Sequence, residues 1–383
     1  MTPSVVRVFH VITQLELGGA QANTLYTVTH LDRARFEPVL VAGVGGILAE
    51  EARDSGVPCR FLPELVRPIS PARDVRAYLA LKRLFARERP AIVHTHSSKA
   101  GILGRLAAAG AAVPIRIHSI HGWGFHPEQP APLRALLVAA ERLAARRTTA
   151  FISVSEANVK QGESLGILDR RRARVVHSGI RLGEFSPRPA GTGSGDVVIG
   201  MVACFKPQKA PIDFVEVAAR VLAAEPGARF VLAGDGELRE AIESRIREKG
   251  IGGRVTLLGW RRDVPALMRT FDILLHTSRW EGLPRVFAEA MATAIPVVAT
   301  RVDGAPEAIE EGVNGRLFEP GDVAGMARAV LDLVRDAPLR RRMGRAGLER
   351  AGGWDIDEMV REQERIYDDI LRAAAAEGAP VPR

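Results

Sequence analysis

The sequence predicts an α/β protein built from two doubly wound, Rossmann-like domains, and three observations carry that reading. Short apolar runs alternate with helical patterns, the signature of a parallel sheet covered by helices. The alternation begins twice, once near the N-terminus and again after residue 196. Between the two series lies Ser186-Pro-Arg-Pro-Ala-Gly-Thr-Gly-Ser-Gly-Asp196, a Pro/Gly/Ser-rich stretch that reads as a linker. At 383 residues the chain is too long for one ordinary domain and suits two.

The elements follow in order. Strand candidates in the first half include residues 5–13, 38–42, 92–94, 115–119 and 150–154. In the second half they include 197–203, 229–233, 255–258, 273–276 and 296–299. The expected domains are 1–185 and 197–353, with 186–196 as linker and a last helical segment at 354–376. Ligands of such sheets bind outside the carboxyl ends of the strands, so a facing pair is expected to hold its site in a cleft between domains.

Composition excludes several classes. Cys59 and Cys204 give no disulfide framework or cysteine metal cluster, so a reducing compartment is expected. The N-terminus lacks a signal-peptide pattern, and no uncharged apolar stretch reaches membrane-spanning length. A cytoplasmic location is expected. Residues 1–190 hold 26 Lys and Arg against 15 Asp and Glu, which suits an anionic partner such as phosphates or an acidic membrane surface. Aromatic residues make up 5%, too few for a nucleic-acid stacking platform.

The most informative stretch is Glu281-Gly-Leu-Pro-Arg-Val-Phe-Ala-Glu289. Pro284 reads as an early helix residue and 286–294 as the helix body. Gly282 and Leu283 then offer backbone N–H groups at a helix N-terminus, an anion site between two carboxylates. By itself the stretch reads more simply as a helix with one solvated acid at its start and one on its face. Lys206 and Lys209 follow the first strand of the second series and can neutralise a diphosphate. The first strand of the chain ends at Gly18-Gly19, where a ligand can approach the backbone. A Gly-x-Gly-x-x-Gly fingerprint is absent there.

His94 and His96 are read as pointing to opposite faces of their strand, a poor start for a metal site, and no metal centre is expected. Lys99 is a candidate for an acceptor phosphate. His121, at a strand end beside Gly122 and Trp123, is placed for contact with a reacting centre. In the helix at 132–147, Leu133, Leu136, Leu137 and Leu143 are expected to share one face, packed on the sheet or laid on an anionic membrane. Asp355-Ile-Asp357 reads as helix capping rather than metal binding.

Taken together, these segments resemble the family 4 glycosyltransferases, retaining enzymes of the GT-B fold. The resemblance runs from Gly18-Gly19 to the last helix. It is strongest in Glu281-x7-Glu289, Pro296-Val-Val-Ala-Thr300, Gly304-Ala-Pro-Glu307 and Asn314-Gly315. Ser153-Val-Ser-Glu156, His177-Ser-Gly-Ile180, Ala233-Gly-Asp-Gly236 and Leu258-Gly-Trp-Arg261 extend it. The chain departs from the family at Cys204, where Arg is usual, and at His177-Ser, where Asn-Gly is usual.

The resemblance implies a transferase that moves a sugar, with retention, from a nucleoside diphosphate sugar, most commonly of uracil, to a saccharide or polyprenyl-linked acceptor in envelope polysaccharide synthesis. The nucleotide sugar is a substrate, and no cofactor or metal is implied. Donor-binding residues would be Gly18, Gly19, Lys206, Lys209, Gly236, Trp260, Arg261, Glu281, Gly282, Leu283 and Glu289. His121, Glu281 and Lys209 would serve catalysis, and His96, Lys99 and Trp123 would lie on the acceptor side. The last helix would pack back toward the first domain. The basic first half suits a peripheral place on the inner face of the plasma membrane. A nucleotide-sugar epimerase or a non-catalytic binding module are the alternatives of other classes.

Overall fold

The computed structural model describes residues 5–189 and 195–376. It divides into two compact units, Met1–Ser178 with Ile356–Arg383, and Gly179–Asp355. Residues 190–194 of the expected linker lie outside the described residues.

The first unit is a seven-stranded sheet of β1 (Val6–Ile12), β2 (Phe36–Gly43), β3 (Cys59–Leu62), β4 (Ile92–His96), β5 (Ile115–Ile120), β6 (Ala150–Ser153) and β7 (Ala173–Val175). The order is β3-β2-β1-β4-β5-β6-β7 and every pairing is parallel. β3 and β7 were not among the expected strands; each is too short to carry a clear period. Helices α1 (Gly19–His30), α2 (Ala49–Asp54), α3 (Pro71–Glu88), α4 (Ser98–Gly110), α5 (Ala131–Ala145) and α6 (Glu156–Ser164) connect the strands.

In the second unit, β8 (Val198–Val202), β9 (Arg229–Ala233), β10 (Val255–Leu257), β11 (Ile273–His276), β12 (Val297–Thr300) and β13 (Gly315–Phe318) pair in the order β10-β9-β8-β11-β12-β13. Its helices are α7 (Pro211–Ala224), α8 (Arg239–Glu248), α9 (Val264–Met268), α10 (Arg285–Ala292), α11 (Ala305–Ala308), α12 (Val323–Arg335) and α13 (Ala337–Arg350). Gly200 on β8 is obligatory, because a Cβ there would lie 2.1 Å from the Phe271 ring. The last helix, α14 (Ile356–Ala376), belongs to the first unit.

Each sheet reverses its strand order once, between β1 and β4 in the first unit and between β8 and β11 in the second. At such a point the loops leave to opposite faces and open a crevice at the carboxyl ends. The apolar content of the strands is near continuous, as expected where helices cover both faces. Phe9, Val11 and Val93 pack under α3 and α4, whereas Val8, Ile92 and Ile117 pack against α14. Ile356, Met359, Val360, Ile366 and Tyr367 of α14 are all buried there. Each such side chain is worth about 1.5–3 kcal/mol of apolar burial.

The first unit ends at Ser178, short of the expected boundary at 185. Ile180 N–H donates to the Trp354 carbonyl at 2.8 Å, and Arg188 binds Asp272 and the Arg269 carbonyl. These bonds tie residues 179–189 to the second unit. Asp357, expected as a cap, accepts the Tyr26 hydroxyl at 2.5 Å.

The α5 face also differs from expectation. Leu136 is 63% exposed and Leu143 53% exposed, while Val138, Glu141, Ala144 and Ala145 are buried. Arg105 of α4 has no exposure, and its Nη2 bonds the Glu141 carboxylate at 2.6 Å. A guanidinium in the interior must be paired. Glu141 therefore turns inward, and of the expected stripe Leu136 and Leu143 face outward while Leu137 still packs against the core.

Candidate functional site

The reversal in the second sheet gathers the charged residues. β8 leads into a 3₁₀ turn at Pro207–Lys209, and β11 leads into Ser278 and Glu281. Lys209 Nζ reaches Glu281 Oε1, which also receives Ser278 Oγ–H at 2.6 Å and lies 3.1 Å from His276 Nε2. Glu281 is 8% exposed. Burial alone would raise its carboxyl, but the Lys209 ammonium and the His276 contact outweigh burial and hold it at about 2. Glu281 is thus a firmly ionised, three-times-bonded carboxylate at the floor of the site. His276 is lowered by burial, against the pull of Glu281, and stays neutral.

The helix that follows begins later than the sequence suggests. α10 runs over Arg285–Ala292, and Pro284 caps it with an extended ψ of 117°. The chain leaves the helix at Ala294, a left-handed residue with φ 57°. Gly282 and Leu283 therefore belong to the loop ahead of the helix cap. Glu289 is half-buried on α10, and its carboxylate has no hydrogen-bond partner among the described residues. Burial raises it above the usual range, offset in part by Arg285. Lys206 is half-buried and has no ion-pair partner among the described residues. A cation without an ion-pair partner and a carboxylate without a hydrogen-bond partner among the described residues, both partly desolvated, are groups prepared for a ligand.

The neighbouring turns close on the same edge of the sheet. Gly236 has φ 153°, and a Cβ there would meet the Phe205 backbone at 2.7 Å, next to Lys206. Gly234 N–H donates to the Gly259 carbonyl, which ties the turn after β9 to the turn after β10. Trp260 is 46% exposed, and Arg261 is paired with Asp263. In the second unit, then, Lys206, Lys209, Gly236, Trp260, Arg261, Glu281, Gly282, Leu283 and Glu289 all sit in loops or a helix at the carboxyl ends of the strands.

Asp303 escaped the sequence reading. It follows β12, has φ 40°, and accepts the Glu281 N–H at 2.6 Å. Burial and the Glu281 charge raise its carboxyl to about 6, against the stabilising N–H bond. A non-glycine in the left-handed region was its one available signal, and backbone conformation is not written in a single sequence.

In the first unit, the structure corrects the histidine reading. Residues two apart on a strand share a face, and the rings of His94 and His96 are 4.3 Å apart at their centroids. His10 Nδ1 lies 3.1 Å from His96 Nε2, and His96 Nδ1 lies 3.1 Å from His121 Nε2. His94 bonds Tyr367 and Ser119 at 2.5 and 2.7 Å. Burial lowers His10 to about 3 and His121 to about 4, and lowers His94 and His96 well below the usual imidazole value, helped by their neighbours. All four rings are therefore neutral at neutral pH.

Nitrogens of His10, His94 and His96 lie within 4.8 Å of one another, close enough to hold a metal. Five of the six ring nitrogens are already engaged in hydrogen bonds, leaving only His10 Nε2. We assign the cluster to hydrogen bonding. His96 is thus a buried support for His121. Lys99 is ion-paired to Asp74 at 2.5 Å and also bonds the Pro68 carbonyl. Trp123 donates to the Asn158 carbonyl. Gly18 caps α1 with extended backbone and no side-chain cap, and Gly19 is the first helical residue.

Comparison with known proteins decides the family. Residues 17–184 match the model of Glycosyltransferase Family 4, and residues 184–350 match that of Glycosyl transferases group 1. The chain is a family 4 glycosyltransferase. It transfers a sugar from a nucleotide-sugar substrate and is related to bacterial polysaccharide and lipopolysaccharide glycosyltransferases.

This glycosyltransferase is 29% identical over 382 residues to the UDP-Gal:alpha-D-GlcNAc-diphosphoundecaprenol alpha-1,3-galactosyltransferase of Escherichia coli, covering 97% of this chain and 98% of that one. Its fold matches Anabaena Alr3699/HepE, crystallised with UDP and glucose, at a TM-score of 0.81 and 19% identity, over 95% of this chain and 100% of that one. Sucrose-phosphate synthase of Thermosynechococcus elongatus matches at a TM-score of 0.82 and 18% identity, over 96% and 100%. The fold is GT-B.

Proposed function

We propose that this glycosyltransferase takes a UDP-sugar as donor and a diphospholipid-linked saccharide as acceptor, and that it retains the anomeric configuration without a metal. The observation that carries the donor half is the group at the carboxyl edge of the second sheet, where unmatched Lys206 and Glu289 flank the Lys209–Glu281 pair. Lys206 and Lys209 hold the diphosphate, Glu289 takes the ribose hydroxyls, and the Glu281-Gly282-Leu283 loop takes the sugar and its phosphates. Gly236, Trp260 and Arg261 surround the base. In the first unit, Gly18 and Gly19 stand at the start of α1 and His121 directly follows β5, the places to which we assign that unit's ligand contacts.

Transfer breaks the bond from the anomeric carbon to the diphosphate oxygen and forms one to the acceptor oxygen on the same face. The acceptor proton passes to the leaving diphosphate. Charge building there is met by the two lysines. The E. coli relative is named for UDP-Gal and for a diphosphoundecaprenol-linked GlcNAc, which supports both halves of the reading. No helix among the described residues is long and apolar enough to cross a membrane. The exposed Leu136 and Leu143 of α5, with exposed Arg142, Arg146 and Arg147 beside them, suit docking on an anionic inner leaflet, where such an acceptor resides.

A thermal-shift panel of UDP-, GDP-, ADP- and dTDP-sugars tests the donor, because a ligand that binds the native state raises Tm with affinity and concentration. We expect a shift with UDP-sugars, followed by transfer of label from that sugar to GlcNAc-diphosphopolyprenol. A shift with another nucleotide only, or transfer to water only, overturns the reading.

A further inference from the structure

Asp303 occupies a position that suits glycine, and its carboxylate is directed at the donor loop. Its φ of 40° is one that L residues rarely adopt, although Asp and Asn tolerate it best. Two hydrogen bonds join its loop to the loop after β11. Glu281 N–H donates to Asp303 Oδ2 at 2.6 Å, and Gly304 N–H donates to the Gly282 carbonyl at 3.1 Å. A third contact, from the Thr300 hydroxyl to the Ser278 carbonyl at 2.5 Å, anchors the same pair of loops from below.

The position is unfavourable for stability on two counts. The backbone is strained. The carboxylate also faces the Glu281 charge, and it is raised to about 6 by burial and by that neighbour. A carboxyl whose folded value is raised stabilises the fold below its unfolded value, and that contribution is lost as pH rises through about 6. Asp303 therefore weakens the native state at neutral pH. Of the other charged groups nearby, Lys209 and His276 are engaged with Glu281, Arg301 pairs with Glu311, and Glu307 lies further along the same segment.

We propose that Asp303 is a positioning residue of the donor site: it fixes the backbone of Glu281-Gly282-Leu283 in the form that receives the donor. The inference rests on the donor reading above. A residue that costs stability and is bonded to a ligand-binding loop is the pattern that stability–function trade-off produces.

Three proteins test it: the wild type, Asp303→Gly and Asp303→Asn. Glycine takes the strained backbone freely but removes the acceptor. Asparagine keeps an acceptor and tolerates the backbone but cannot ionise. Hydrogen exchange at the Glu281 amide reads the bond directly, calorimetry with UDP reads donor affinity, and Tm reads stability. In Asp303→Gly we expect Glu281 exchange and UDP Kd each to rise about tenfold, with Tm at pH 7.5 unchanged or higher. Asp303→Asn should restore protection and affinity.

Unchanged exchange in Asp303→Gly overturns the inference. So does a fall in Tm that Asp303→Asn does not repair. If exchange changes as expected and UDP binds none of the three, the role of Asp303 in the loop stands and the donor reading fails.

Discussion

Replacing Lys209 by Met removes the ammonium from a nearly dry site while keeping most of the stem. Lys209 and Glu281 are 18% and 7% exposed. The Glu281 carboxyl falls from an ordinary 4.5 to about 2 in the folded chain. At 1.36 kcal/mol per tenfold, that gap is about 3 kcal/mol in favour of the ionised native state. Because the folded value is depressed, this stabilisation is fully present above pH 4.5 and is lost as pH falls toward 2. His276 and Ser278 cannot replace a full positive charge, so Lys209→Met should lose about 3 kcal/mol at pH 7. The deficit should shrink to about 1.4 kcal/mol at pH 3, one tenfold step above the wild-type value. Urea unfolding followed by tryptophan fluorescence suits the test, since Trp260, Trp280 and Trp354 all lie in the second unit. A deficit below 1 kcal/mol at pH 7, or one that does not narrow on acidification, would refute the account of Glu281 as a buried charge held by Lys209.

Glu281→Ala and Lys209→Ala should each lower turnover by orders of magnitude; wild-type rates with a confirmed donor would remove both from the site. The first unit should be acid-labile, because His10 and His121 fold at about 3 and about 4 against an ordinary 6.5. Such depressed values mean stability is lost as pH falls below 6.5, by about 2 kcal/mol for each ring at pH 5. Urea midpoints of a variant keeping only Trp123 should fall between pH 7 and 5, and no change would sink the claim of neutral buried rings. Leu136→Glu with Leu143→Glu should abolish sedimentation with anionic vesicles at low salt while leaving Tm nearly unchanged; binding that persists would place the membrane contact elsewhere.

Much of the fold was legible because parallel strands under two helix layers are mainly apolar, and such runs stand out in a sequence. The charged site was legible for a related reason: Glu281 and Glu289 share one local segment, and lysine is scarce enough in this chain to draw attention to Lys209. What was missed depends on partners distant in sequence. Arg105 rotates α5 through Glu141, 36 residues on. Asp74 neutralises Lys99, and Asp303 meets Glu281 across two loops. The histidine face was readable and was misread. Strand period alone puts His94 and His96 on one side, and their partners His10 and His121 come from β1 and the loop after β5. Asp303 could not be read, because its signal is a dihedral angle.

The return of α14 to the first sheet has a consequence for how the protein is made. Tyr367, Met359 and Val360 cover strands that left the ribosome some 200 or more residues earlier. The second unit is continuous in sequence and can complete its core while still tethered. The unit translated first is therefore the last to be finished, with an apolar face uncovered throughout synthesis of the other. A nonsense mutation that removes only the final helix would leave the donor-binding unit intact and damage the opposite end of the gene product, the part encoded first.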